Sequence, residues 1–280
     1  MKKHESVLGI IRTLIRELVV SYALIERNFN LLRRYLTWEI LFFTYSIVNA
    51  LTIGLIMVGK GDPQDVLYLV IGALVWGFLS IMMREVSDAI TWERWEGTIE
   101  YTFMAPIHRI THLIGSCFFA ILYGVIRTGI VLAVMPLFFG NYVDLGQANW
   151  LTIATVIGIS SLSFVGVGIG LMAAVFPLLS PEKAQAATGI LQTLLLLISG
   201  IYYEIEVLPR WLQPIAIISP ATYTLRSTRS AILKNASILD ELPNLFLLFS
   251  IGIVTIPIGF YVFHLGEKYA KRTARLKRSG

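Results

Sequence analysis

Five carboxylates crowd residues 84–109, where Glu85, Asp88, Glu93, Glu96 and Glu100 stand against Arg84, Arg94 and Arg109 for a net charge of −2. Paired carboxylates can exchange protons in acid–base catalysis, but only beside a nucleophile, a metal or a bound substrate. The sequence offers no such companion. It has no G-x-x-x-x-G-K-[ST] loop to cradle phosphates, no H-E-x-x-H and no serine nucleophile elbow. Its four histidines, His4, His108, His112 and His264, form no ligand set, and Cys117 stands alone in an apolar run, which excludes a disulfide framework or a Cys-rich metal site. No catalytic residue, metal or cofactor is therefore assigned to this chain. What remains for the carboxylates is recognition. Glu96 and Glu100, four residues apart, share a helix face. With Trp92, Trp95, Tyr101 and Phe103 they make an acidic, aromatic surface that could fit a basic groove on another protein; a solvated connector is the alternative.

The elements that must carry this surface follow from composition. Of 280 residues, 56% are hydrophobic and 15% charged, with a mean hydropathy of +0.71. A soluble domain has roughly 45–50% and about 25%. The expected fold is an all-α integral membrane protein. Six segments reach the ~20 apolar residues needed to cross a bilayer: 37–58, 65–83, 112–139, 150–177, 186–203 and 244–264. Gly61–Asp62–Pro63, Asn141–Asn149 and Ser180–Lys183 separate spans. Seventeen Lys/Arg fall on the side of both termini and five on the other, so the positive-inside rule places both termini in the cytoplasm of a cytoplasmic (inner) membrane protein.

Three stretches flank or interrupt the six-span domain, 37–264. Residues 1–36 repeat apolar side chains at three or four positions (Val7, Ile11, Leu14, Leu18, Tyr22, Ile25) and read as an amphipathic helix along the membrane surface, or else as a soluble helix packed on a partner. Residues 204–243 carry Trp211 between Pro209, Pro214 and Pro220. They are too broken to span and read as short re-entrant helices before the last span, with Trp211 and Tyr223 at headgroup level. Residues 265–280 form a basic cytoplasmic tail.

Inside the spans, Arg127 is the conspicuous charge, at a cost of at least ~2.5–3.5 kcal/mol on insertion scales. Glu204 or Glu206 is one candidate partner; serine hydroxyls and backbone carbonyls are others. Gly166-x-x-x-Gly170 reads as a close helix contact.

Residues Glu96-Gly97-Thr98-Ile99-Glu100, then Ala105-Pro106-Ile107-His108-Arg109 and Gly115, resemble the E-G-T-hydrophobic-E … P … [KR] signature of type-2 ATP-binding-cassette (ABC) export permeases. Ser180-Pro181-Glu182-Lys183, Ser199-Gly200-Ile201-Tyr202-Tyr203, Leu208-Pro209-Arg210-Trp211-Leu212 and Pro220-Ala221-Thr222-Tyr223 follow in that family's order. Glu204 departs from it, standing where the family often has proline.

The resemblance implies the transmembrane subunit of an ATP-driven exporter. Two permease subunits, as a homo- or heterodimer, would pair over two copies of a cytoplasmic ABC ATPase, which would hold the ATP and Mg. A coupling loop (84–111) would carry a coupling helix within Glu96–Arg109, using Glu96, Gly97, Thr98, Glu100, Pro106 and Arg109. Pro181, Glu182 and Lys183 would make a second cytoplasmic contact. Phe42, Tyr45, Asn49, Trp76, Thr193 and Leu197 would line the substrate pathway. Arg127, Glu204, Glu206, Pro209 and Trp211 would shape the outer gate and re-entrant segment. The expected cargo is a hydrophobic or amphiphilic, drug-like molecule. A polysaccharide or lipid-linked glycan is the alternative, and an ATPase-independent secondary transporter or channel the competing class. Membrane lipid is an expected partner; nucleic acid is not.

Overall fold

The computed structural model describes residues 2–58, 63–106, 108–140, 146–164 and 175–273, with backbone alone at 2–14, 63, 103 and 109. Among these residues every regular element is helical. Gly61–Asp62, Gly166–Gly170, the Arg109 side chain, the side chains of Val7, Ile11 and Leu14, and the basic tail beyond Thr273 lie outside what is described.

Helix α1 (Lys2–Arg34) meets α2 (Leu36–Val58) at the single residue Tyr35. Then follow α3 (Pro63–Glu96), the short α4 (Ile99–Met104), α5 (Arg109–Phe139) and α6 (Trp150–Phe164). The chain is helical again at 175–179 and continues through α7 (Pro181–Ile198), a 3-10 turn at Ile205–Val207, α8 (Gln213–Ile218), α9 (Pro220–Leu233) and α10 (Ile238–Arg272).

Four of these, α2, α3, α5 and α10, are long and apolar enough to cross a bilayer. Two expected spans are not met in that form. The span expected at 150–177 is described only as the 15-residue α6 and the turn at 175–179. The span expected at 186–203 is α7, which lies five residues earlier. Pro181 suits the first turn of a helix, where no N–H is needed, and Gly200, at φ 64°, turns the chain out at the other end. Its polar opening, Pro181–Glu182–Lys183, dilutes an otherwise apolar helix.

Helix α3 is the axis of the bundle and packs against α2, α5, α7 and α9, while α6 packs against α9 and α10. Of the most apolar stretch of α3, 72% is buried, against 11% for α2. The core is continuous along α3, from Val66 through Val70, Leu79 and Met82 to Val86 and Ile90, with Cys117 and Met135 of α5 against it. Polar rungs cross the α3–α7 seam: Ser87 lies 3.0 Å from Thr188, and the Gln192 amide donates to the Ser80 carbonyl at 2.8 Å. The 204–243 stretch does fold into short helices. Tyr223, expected at headgroup level, is instead buried within α9, because that helix is enclosed by α3, α6 and α10; Trp211 is exposed.

Candidate functional site

Residues 84–96, expected in a loop, continue α3 without a break, so the first carboxylates ride on a rigid helix. The helix stops where Gly97 takes φ 73°. Gly97 N–H donates to the Arg94 carbonyl at 3.2 Å and Thr98 N–H to the Glu93 carbonyl at 2.9 Å, closing a Schellman turn. The chain then enters α4, which ends at Ala105 in extended conformation, as the residue before Pro106 must. Gly97 and Pro106 thus bracket α4. An alanine at Gly97 would have to hold a left-handed conformation that costs about 1–2 kcal/mol. Gly97→Ala is therefore expected to destabilise the purified protein by about 1 kcal/mol, read as a lowered thermal midpoint, while Gly97→Asn costs less.

This corner presents Glu96, Glu100, Trp92, Trp95, Tyr101 and Met104 on its surface; the two indoles meet edge to face at 5.3 Å. Ile99 is buried and anchors α4 from beneath. Thr98 serves the turn, its hydroxyl donating to the Glu93 carbonyl at 3.3 Å, and Pro106 is exposed. Not every carboxylate of the acidic stretch is available for recognition. Glu93 is buried, accepting from the Arg27 guanidinium at 2.7 Å and lying 2.9 Å from His112 Nε2. One carboxylate therefore ties α1, α3 and α5 together. A second tie lies nearby, where Glu17 of α1 accepts from the Thr111 hydroxyl at 2.6 Å and from the His108 N–H at 3.4 Å. The Thr111 hydroxyl, first among these donors, holds the Glu17 carboxyl below its ordinary pKa.

The second sequence-predicted contact is joined to the same corner. Arg94, buried, donates to the carbonyls of Pro177 at 3.0 Å and Leu178 at 2.6 Å, just ahead of Ser180. Pro181 is buried and Glu182 and Lys183 are exposed. Both predicted contact surfaces thus sit on one braced platform. Sequence reasoning missed Glu93, Arg94 and His112 as fasteners. Nothing in their local pattern separates a solvated charge from a buried one.

A cavity of about 300 Å³ lies between α2, α3, α5 and α7. Tyr45, Asn49, Trp76 and Thr193 line it, together with Ser80, Arg84, Glu85 and Arg127. Phe42 borders it through its carbonyl, which accepts a hydrogen bond from Arg127, whereas Leu197 is exposed, is not among the lining residues, and accepts a hydrogen bond from Tyr203 at its carbonyl.

Arg127 is 6% exposed, yet it does not reach Glu204 or Glu206. It donates from Nε and Nη2 to Ser46 Oγ at 3.1 and 2.7 Å, from Nη2 to the Phe42 carbonyl at 2.7 Å and from Nη1 to Tyr123 OH at 3.1 Å. Tyr123 in turn donates to Glu39 at 2.6 Å. Ser46 is about 15 Å along α2 from Leu36, so Arg127 sits at mid-height rather than at an outer gate.

At the far end, Glu204, Glu206, Pro209 and Trp211 are exposed. The arginine that organises this end is Arg229 of α9, unnoticed in the sequence. It donates to the carbonyls of Ile201 at 2.7 Å and Tyr68 at 3.2 Å and stacks 3.3 Å over the Tyr68 ring. No cluster of His, Cys, Asp and Glu among the described residues is placed to hold a metal ion.

The family model for ABC-2 type transporters matches residues 20–233, well over half of the chain. The search of curated proteins returns no match.

Proposed function

The chain belongs to the ABC-2 type transporter family, and from that premise we propose that it is the permease subunit of an ATP-driven exporter, moving a hydrophobic or amphiphilic molecule out across the cytoplasmic membrane. It is a membrane permease with several apolar helices, and permeases of this family work with an ABC ATPase partner. In this reading α6 with the 175–179 turn and α7 complete six spans, both termini are cytoplasmic, and a second permease subunit completes the pathway. Helix α1 lies along the membrane surface. The exposed stripe Ile15, Leu18, Val19 and Tyr22 supports that placement, since α1 turns a different face, with Glu17, Leu24 and Arg27, to α5 and α3.

The observation that carries the proposal is the braced corner. A short helix follows directly on the end of the most buried helix of the bundle; the corner between them carries two exposed carboxylates, Glu96 and Glu100, and exposed aromatics, and is tied to α1, α5 and the 175–179 turn. A push on α4 is thereby delivered to α3, which forms one wall of the cavity. The compact, aromatic-lined cavity favours a small amphiphile over an extended glycan. Charge reversal tests this. Glu96→Lys with Glu100→Lys is expected to leave the permease folded while transport falls at least tenfold and ATPase activity of the complex loses its response to cargo. If the double variant assembles with the ATPase and transports as the wild type does, α4 is not the coupling element.

A further inference from the structure

Two glycines of the cavity wall have no packing reason to be glycine. In mid-helix glycine is less stable than alanine, because it gives up more backbone freedom on folding, so each one calls for a cause. At Gly54 and Gly72 the cause is contact: an added Cβ would meet the Phe139 ring or the Ile201 carbonyl at 2.5 Å. Gly77 of α3 and Gly189 of α7 are different. Among the described residues an added Cβ at either meets nothing within 4 Å, although both are half-buried and both line the cavity. Neither has a positive φ that would require glycine. Gly129 and Gly158 have the same open space, but they are exposed and lie outside the cavity lining.

The space beside Gly77 and Gly189 is held open by the helices that carry them. The Gln192 amide donates to the Ser80 carbonyl at 2.8 Å, and Ser87 lies 3.0 Å from Thr188. These rungs make α3 and α7 one wall and stop either helix from closing on the gap. Later residues of α3 pair with earlier residues of α7, so the two helices run antiparallel. Gly77 therefore lies about one turn to one side of the Gln192 rung and Gly189 about one turn to the other, on the order of 10 Å apart along the seam. Tyr45 and Asn49 of α2 and Thr128 of α5 line the other walls.

We propose that the apolar body of the cargo lies against the bare backbone at Gly77 and Gly189, and that these two glycines set the cross-section the cavity admits. The class of cargo that follows is an amphiphile with a compact, branched or ring-built body, wider than a single alkyl chain. A straight chain would leave both notches empty and forfeit the contacts that a wider body makes there. The proposal rests on the cavity being the cargo path and adds two specificity-determining residues to it.

The test uses the purified full chain in lipid nanodiscs and two uncharged photoreactive probes of equal carbon number, adamantyl diazirine, which is a cage, and a straight-chain alkyl diazirine. Labelling along the chain is read by mass spectrometry and referred to Phe246 and Phe249, exposed on α10. In the wild type the cage is expected to label the cavity wall several-fold above that reference. The double variant Gly77→Ala with Gly189→Ala is expected to melt no lower than the wild type, since alanine is the better helix former and its methyl meets no neighbour. Its cavity labelling by the cage is expected to fall about threefold, and that of Gly189→Leu about tenfold, while straight-chain labelling stays within about twofold. Cage labelling that stays at the wild-type level in the double alanine variant overturns the proposal. So does a wild-type cavity that the cage labels no more than α10, or a straight-chain signal that falls as far as the cage signal. A double alanine variant that melts lower or elutes at a smaller size shows that the glycines meet a neighbouring helix or subunit, and the proposal falls. Co-purification with an ATPase is a separate measurement: if it succeeds while the glycines prove irrelevant, only the size rule falls. If no ATPase binds but the glycines govern cage labelling, the cavity stands as a binding site and the exporter reading falls.

Discussion

Glu93→Ala is expected to loosen α1 from the bundle and to destabilise the protein by about 2–3 kcal/mol. Breaking a fully buried ion pair by removing one partner costs about 3–5 kcal/mol. The Arg27 side chain is 39% exposed, so water takes up part of its loss and the figure is discounted accordingly. His112, 6% exposed, has no such relief. Among the described residues the other Glu93 oxygen has no partner, so the carboxylate already carries a desolvation cost that the variant removes. Two readouts check the result: a thermal midpoint lower by several degrees in detergent, and faster proteolysis within α1 at a temperature where the wild type resists. Glu93→Gln keeps an acceptor between Arg27 and His112 and is expected to lose less than half as much. Were α1 to stay protected and the midpoint unmoved in Glu93→Ala, the apolar contacts of α1 with α5, such as Phe29 against Phe119 at 5.2 Å, would be holding it alone.

For Arg127→Leu the expected result is the reverse pattern: stability nearly unchanged and transport reduced at least tenfold. The arginine makes three hydrogen bonds to α2. Interhelical bonds in membranes average about 0.6 kcal/mol each, so their loss amounts to roughly 2 kcal/mol. Leucine removes a charge whose insertion costs about 2.5–3.5 kcal/mol, and the two effects nearly offset each other. Function has no such compensation. With only 11% of its apolar stretch buried, α2 has few other fixings on the α5 side of the cavity. Arg127→Lys keeps the charge but cannot span Ser46, Phe42 and Tyr123 together, and is expected to transport at an intermediate rate. A large fall in stability for Arg127→Leu, with transport per folded molecule intact, would mean that the arginine serves packing alone.

Legibility differed from one element to the next. Gly97 and Pro106 bracket α4 in the structure as their types imply, because backbone conformation at glycine and before proline is a local property. The apolar runs at α2, α3, α5 and α10 were legible for a similar reason, since burying twenty apolar residues in lipid is decided by composition. The reach of α3 was not. Its last turns mix Glu85, Asp88, Glu93, Glu96 and Arg94 with Trp92 and Trp95, a pattern that suits a polar loop and a helix equally well.

The sequence by itself determined a membrane-embedded helical bundle and the Gly97 and Pro106 that bracket α4, and its family resemblance pointed to four of the residues that line one cavity. The bundle and the bracket depend on side-chain type and near-neighbour spacing. Only the tertiary structure decided which charges face water and which are fasteners: Glu93 against Glu96, Arg94 against Arg84, Arg127 with α2 rather than with Glu204. Among their partners, Arg27 lies 66 residues from Glu93, Pro177 83 from Arg94 and Ser46 81 from Arg127. A charge's environment is set by whichever helix packs beside it, and that choice belongs to the whole bundle.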